Sequence, residues 1–121
     1  MVIGVDTMTS ILDFQDRDTC VIFGDGGGGV ILEPTGDNLG IVDSILHMDG
    51  CGGKYLFVPG GGSRIPSTKE SVKNRLHYIK QDGKTVFKYA VRGMSEVSKQ
   101  LLDRNQLTGD DIALFLSLIH I

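Results

Sequence analysis

Apolar positions fall into short continuous runs in the first half of this chain and into a spacing of three and four in the second. Met1 to Val5 is an unbroken run of the kind seen in a sheet covered on both faces, and it predicts a short buried strand. Asp6 to Asp16 follows as a connection with helical character. Thr19 to Phe23 and Gly28 to Glu33 predict strands, Pro34-Thr35-Gly36-Asp37-Asn38 a turn, and Leu39 to Met48 a further strand. The two runs flanking that turn are expected to pair antiparallel. Residues 49–73 are rich in Gly, Ser and Pro without a period and predict a long loop, a feature usually functional or interfacial in compact domains. From about Thr85 to Asn105, Phe87, Ala90, Val91, Met94, Val97, Leu101 and Leu102 define one apolar helix face. Lys88, Arg92, Glu96, Lys99 and Arg104 lie mostly opposite, as a solvated surface. Gly109-Asp110-Asp111 predicts a turn and Ile112 to Leu116 another buried strand.

A chain of 121 residues predicts one domain, and a compact chain of that size buries about two thirds of its unfolded surface, enough for a core. The formal net charge of −3 gives no electrostatic footprint for nucleic acid, and no Lys/Arg run suggests a membrane surface. No apolar stretch approaches a membrane span, and Met1-Val2-Ile3-Gly4 lacks the features of a signal peptide. The expected location is the cytoplasm.

The densest signal is Phe23-Gly24-Asp25-Gly26-Gly27-Gly28-Gly29-Val30. A glycine loop that cradles phosphate leaves a strand and opens into a helix N-terminus. Here the following residues, Val30, Ile31 and Leu32, favour a strand instead. The glycines are therefore expected to serve a tight bend between strands and a close backbone approach.

Asp16-Arg17-Asp18-Thr19, a short apolar run and Phe23-Gly24-Asp25-Gly26 together resemble the β-ketoacyl-acyl-carrier-protein synthase III family of thiolase-like condensing enzymes. Gly27 and Gly29 stand where that family usually has alanine. His47-Met48-Asp49-Gly50, Pro59-Gly60-Gly61-Gly62-Ser63-Arg64 and Gly83-Lys84-Thr85-Val86-Phe87-Lys88 continue the resemblance in order, so that it covers residues 1 to 116. It implies an α/β, thiolase-like fold, a mixed sheet with helices. The fold would be incomplete: residues 1–80 as the C-terminal part of the first half, 81–116 as the first helix and strand of the second, and 117–121 as a tail departing from the family.

The resemblance also implies the chemistry of an acyltransferase: decarboxylative condensation of an acyl-CoA primer with malonyl-acyl-carrier protein, which starts fatty-acid synthesis. It implies no resident cofactor, the coenzyme A thioester being substrate, and a homodimer in the full-length enzyme. Family members use a Cys, a His and an Asn. The cysteine would precede this chain, and after Ile112 to Leu116 the residues Ser117-Leu118-Ile119-His120-Ile121 replace the family's Pro-His-Gln-Ala-Asn. His120 falls two places late, so no catalytic residue is assigned and the chain is expected to be an internal, inactive fragment.

Cys20 and Cys51 form no metal or redox pattern. A Cys20 thiolate activated by His47 is conceivable chemistry, yet Cys20 lies in an apolar run where a small thiol is ordinary packing. Carried over by position, Arg17 matches the arginine at the adenine end of coenzyme A, where a guanidinium stacks on the base and bonds phosphate. The plainer expectation is an ion pair with Asp16 or Asp18. Gly83 and Phe87 match positions near the pantetheine channel, with Lys84 where some members have asparagine. Met8, Phe23, Leu56 and Ile79 match acyl-pocket positions, against a plainer reading as core. Two alternatives stand beside this one: a related condensing enzyme or acyl transferase of secondary metabolism, and a short non-catalytic protein binding a partner through an exposed sheet edge.

Overall fold

A computed structural model describes residues 1–36 and 39–117. Asp37 and Asn38 of the expected turn, and Leu118 to Ile121 of the expected tail, lie outside the described residues.

Among the described residues the architecture is mixed α/β, with two small antiparallel sheets and two α-helices. Strand β1 (Val2–Asp6) pairs with β2 (Gly26–Val30) in the register Val2↔Val30, Gly4↔Gly28 and Asp6↔Gly26. Strand β3 (Leu56–Phe57) pairs with β4 (Lys80–Gln81). Helix α1 is Lys69–Lys73 and α2 is Gly83–Arg104. Short 3-10 turns occupy Met8–Ile11, Gly50–Lys54 and Gly109–Asp111.

The glycine run is itself a strand and not a bend, which corrects the expectation. None of Gly26 to Gly29 has a positive φ, so left-handed backbone is not what calls for glycine there. A Cβ on Gly27 would sit 3.4 Å from Val5 Cγ2, and one on Gly29 3.4 Å from the Val2 carbonyl. The residues after Val30, 31–35, form neither helix nor strand, which removes the phosphate-loop reading.

Thr19 to Phe23 is a helical turn, contrary to its strand propensity. The Asp16 side chain accepts from the Asp18 N–H at 3.1 Å, and its carbonyl accepts from Thr19 and Cys20 at 3.3 and 3.0 Å. The Thr19 carbonyl takes Ile22 and Phe23 in the same way. These local bonds satisfy the backbone that a strand would need to share with a neighbour. Leu39 to Met48 and Ile112 to Leu116 also form no strand, and β2 pairs with β1 and not with 39–48. The expected long loop at 49–73 contains a 3-10 turn, β3 and α1.

Helix α2 matches its periodicity closely. Asp82 caps it, accepting from the Thr85 N–H at 3.1 Å and its hydroxyl at 2.7 Å. At the other end Gln106 turns left-handed, with φ 56°, and the Leu107 N–H bonds the Leu102 carbonyl at 2.9 Å. Arg75 performs the same turn after α1, also at φ 56°.

The core is small. Leu12 and Ile79 are its buried apolar residues, beside the buried polar Asp13, Thr19 and Ser71. Strand β1 is exposed along its whole length, contrary to the expectation of a strand covered on both faces. The chain exposes 10309 Å², where a compact monomer of its mass exposes about 6,400 Å² and the extended chain about 19,000 Å². Folding therefore removes under half of the extended surface and not two thirds. The unpaired runs explain the difference: Ile41, Val42, Leu46, Met48, Leu114 and Leu116 all stand in solvent.

Candidate functional site

Strand β4 is the place where the expected site segments meet. Just before it, the Ile79 N–H donates to the Ile11 carbonyl at 2.9 Å, fastening the turn that carries Met8. Lys80 reaches Asp16 at 3.8 Å, beside Arg17. Gln81 pairs across the sheet with Leu56, and the Asp82 N–H donates to the Tyr55 carbonyl at 2.8 Å. One residue further, α2 opens with Gly83 and Lys84. Segments far apart in sequence are thus hydrogen-bonded or ion-paired around four consecutive residues, 79–82.

The individual side chains divide into two groups. Ile79 is buried, Met8 and Phe23 are partly buried, and Leu56 is more exposed. Gly83, Lys84 and Phe87 are exposed on the first turns of α2, and Arg17 is exposed on the 17–22 turn. Arg17 makes none of the ion pairs among the described residues: Asp16 pairs with Lys80 instead. The guanidinium is free, so the plain ion-pair expectation for Arg17 is not met.

Buried electrostatics support this arrangement from behind. Asp13, buried, takes a two-pronged bond from Arg75, whose Nε donates at 2.7 Å and whose second nitrogen completes the fork. That bond holds the Asp13 carboxyl below the usual carboxylate range. Asp82 is lowered likewise, by the Thr85 hydroxyl and then its N–H. Ser71 closes a capping box with Thr68 and lies 2.9 Å from His77 Nε2. Its oxygen is committed to the helix end, so this pair is structural.

A separate open groove of about 1020 Å³ runs along α2, lined by His47, Met48, Val86, Met94, Leu101 and Phe115 among others. None of the eight expected site residues lines it. Cys20 and Cys51 are both free thiols, and no hydrogen bond joins Cys20 to His47. No helix among the described residues is long and apolar enough to cross a membrane.

Gln81, which the sequence did not single out, carries one polar atom left over inside the fold. Its Oε1 is the one buried side-chain oxygen or nitrogen among the described residues that lacks a hydrogen-bond partner.

Mixed α/β architecture with these motifs defines the class to which known proteins can be compared. Residues 1–50 match the family model described as 3-Oxoacyl-[acyl-carrier-protein (ACP)] synthase III. The chain is 50% identical over 119 residues to the β-ketoacyl-[acyl-carrier-protein] synthase III of Koribacter versatilis, covering 97% of this chain and 36% of that protein. It is 50% identical over 115 residues to the same-named protein of Chlorobium chlorochromatii and 47% identical over 119 residues to that of Solibacter usitatus. Over nearly its whole length the chain is therefore a close relative of the β-ketoacyl-acyl-carrier-protein synthase III proteins, and it spans about a third of their length.

Proposed function

We propose that this chain forms part of the substrate-binding wall of a synthase III, which condenses an acyl-CoA primer with malonyl-acyl-carrier protein to begin fatty-acid synthesis in the cytoplasm. The observation that carries the reading is 50% identity across 97% of the chain. In the reaction the acyl group passes from coenzyme A to a cysteine sulfur, releasing the free thiol of coenzyme A. Malonyl-acyl-carrier protein then loses CO₂, and the resulting carbanion attacks the thioester to give 3-oxoacyl-acyl-carrier protein and the regenerated cysteine.

In this reading Arg17 holds the adenine end of coenzyme A, and its free guanidinium supports that role. Gly83, Lys84 and Phe87 flank the pantetheine arm, while Met8, Phe23, Leu56 and Ile79 shape the acyl pocket and tune primer length by volume. The joining of these segments around β4 supports one continuous path from arm to pocket. The reacting Cys, His and Asn come from outside residues 1–121, in a protein that works as a homodimer. The exposed apolar runs at 39–48 and 112–116 are the faces on which the rest of such an enzyme packs.

A chimera tests this reading: the segment of the Koribacter protein that matches residues 1–116 is replaced by residues 1–116 of this chain, so that the host keeps its own reacting Cys, His and Asn, and the product is assayed with acetyl-coenzyme A and malonyl-acyl-carrier protein. The chimera is expected to turn over and the 121-residue chain alone is not. A folded but inactive chimera, or turnover by the chain alone, overturns the proposal.

A further inference from the structure

Helix α2 has an apolar face that the chain itself leaves uncovered. None of its residues is buried, and Phe87, Ala90, Met94, Val97 and Leu101 recur at alternating spacings of three and four, the repeat with which two helices interlock side by side. The positions flanking that seam, Val86, Val91, Gly93, Ser98 and Gln100, carry no charge. The Ser98 hydroxyl already donates to the Met94 carbonyl at 2.7 Å, so it enters a dry contact without losing a bond. The open groove of about 1020 Å³ has Ala90, Met94, Val97 and Leu101 along its floor and residues 47–49 and 115–117 as its walls.

Area and charge narrow what fits there. The chain exposes about 3,900 Å² more than a compact monomer of its mass, and a stable interface needs about 800 Å² from each partner. The first half of α2 carries Lys84, Lys88 and Arg92 and no acid. In its second half and just beyond, Glu96, Asp103, Asp110 and Asp111 outnumber Lys99 and an Arg104 already forked to Asp43. A second copy laid antiparallel brings the basic half of each helix beside the acidic end of the other and opposes the two helix dipoles. A parallel pair would set like charges side by side. The antiparallel contact uses the same patch on both copies, so it closes at two.

We propose that the α2 groove is an interface between two copies of this chain, which pack antiparallel along Ala90, Met94, Val97 and Leu101. The contact does not rest on the coenzyme A reading. In a longer protein, residues outside 1–121 compete for the same face; in the 121-residue chain the second copy takes it.

Sedimentation equilibrium of the 121-residue chain tests this. The mass is expected to rise with concentration from 13.1 kDa to a plateau at twice that value, and the thermal midpoint to rise over the same range. Ala90→Glu puts a charge into the seam at an exposed position and keeps a strong helix former there, so the monomer folds as before. It is expected to weaken association about a hundredfold or more, the cost of burying an unpaired charge. Met94→Lys should act alike, whereas Lys99→Ala, on the opposite face, should leave the dimer intact. Circular dichroism verifies that each variant keeps its helix. Three results overturn the proposal. One is a 13.1 kDa species at every concentration, which would mean that the face is kept for residues outside this chain. Another is a dimer that folded Ala90→Glu and Met94→Lys leave unchanged. The third is a mass that climbs without a plateau, the behaviour of unpaired strand-forming edges such as 39–48 and 112–116.

Discussion

Thr9 binds Asp25 twice: its backbone N–H donates to Oδ1 at 2.8 Å and its hydroxyl donates to Oδ2 at 2.7 Å. The pair closes the chain between the end of β1 and the start of β2, and so holds the register in which Asp6 faces Gly26. Both bonds favour the ionised carboxyl, the backbone donor most, and they lower the Asp25 pKa below its ordinary value. The unfolded chain titrates near about 3.9, so this stabilisation is complete above that pH and is lost as pH falls through the lower folded-state value. Asp13, Asp43, Asp82 and Asp111 are shifted in the same direction. Thermal unfolding should be nearly independent of pH between 7 and 5 and should fall steeply below 4. Asp25→Ala should lower the midpoint at pH 7 and show a smaller difference from the unaltered chain at pH 3.

Gly27 and Gly29 should accept alanine with a gain. Neither has a left-handed φ, and a Cβ at either position meets its nearest neighbour at 3.4 Å, an ordinary contact. The substitution narrows the unfolded ensemble without straining the folded one, worth about 0.4–1 kcal/mol each. Urea unfolding of Gly27→Ala and Gly29→Ala should show raised midpoints with unchanged slopes. A lowered midpoint would mean that the β1–β2 contact is closer than described.

Gly60 should respond in the opposite sense to the same change. Its N–H donates to the Leu76 carbonyl at 2.7 Å, and a Cβ there would meet Leu76 Cβ at 3.1 Å and that carbonyl oxygen at 3.2 Å. Backbone cannot step aside as a flexible side chain can. Gly60→Ala is therefore expected to cost about 1–3 kcal/mol, read in the same urea experiment. A neutral result would show that the 59–61 segment is not held against Leu76.

How far the fold was legible depended on where each backbone group found its partner. Helix α2 satisfies its own hydrogen bonds and announces its start with Asp82 and Thr85, so spacing sufficed to place it to within two residues. Strand β1 was visible as an apolar run, but its partner was not, because Gly26 to Gly29 carry no side chains from which a strand period can be read. Leu39 to Met48 and Ile112 to Leu116 have strand composition and no strand, since a strand exists only where another edge is present to pair with it. The strand propensity of Cys20-Val21-Ile22-Phe23 was overruled by a local turn: the Asp16 side chain fixes its start at the Asp18 N–H, and the carbonyls of Asp16 and Thr19 take the N–H groups of Cys20, Ile22 and Phe23. Among the expected site residues, Arg17, Gly83 and Lys84 were placed by motif order alone. The unpartnered oxygen of Gln81 depends on burial and on hydrogen bonds from distant segments, which no local pattern in the sequence records.

Coenzyme A binding by Arg17 bears most directly on the account. Calorimetric titration of coenzyme A into the 121-residue chain should give a one-to-one isotherm that Arg17→Ala weakens about tenfold or more, the worth of a hydrogen bond to a charged group. The loss should shrink as salt is raised, as expected for an exposed charge. No binding, or an affinity that Arg17→Ala leaves unchanged, would contradict it.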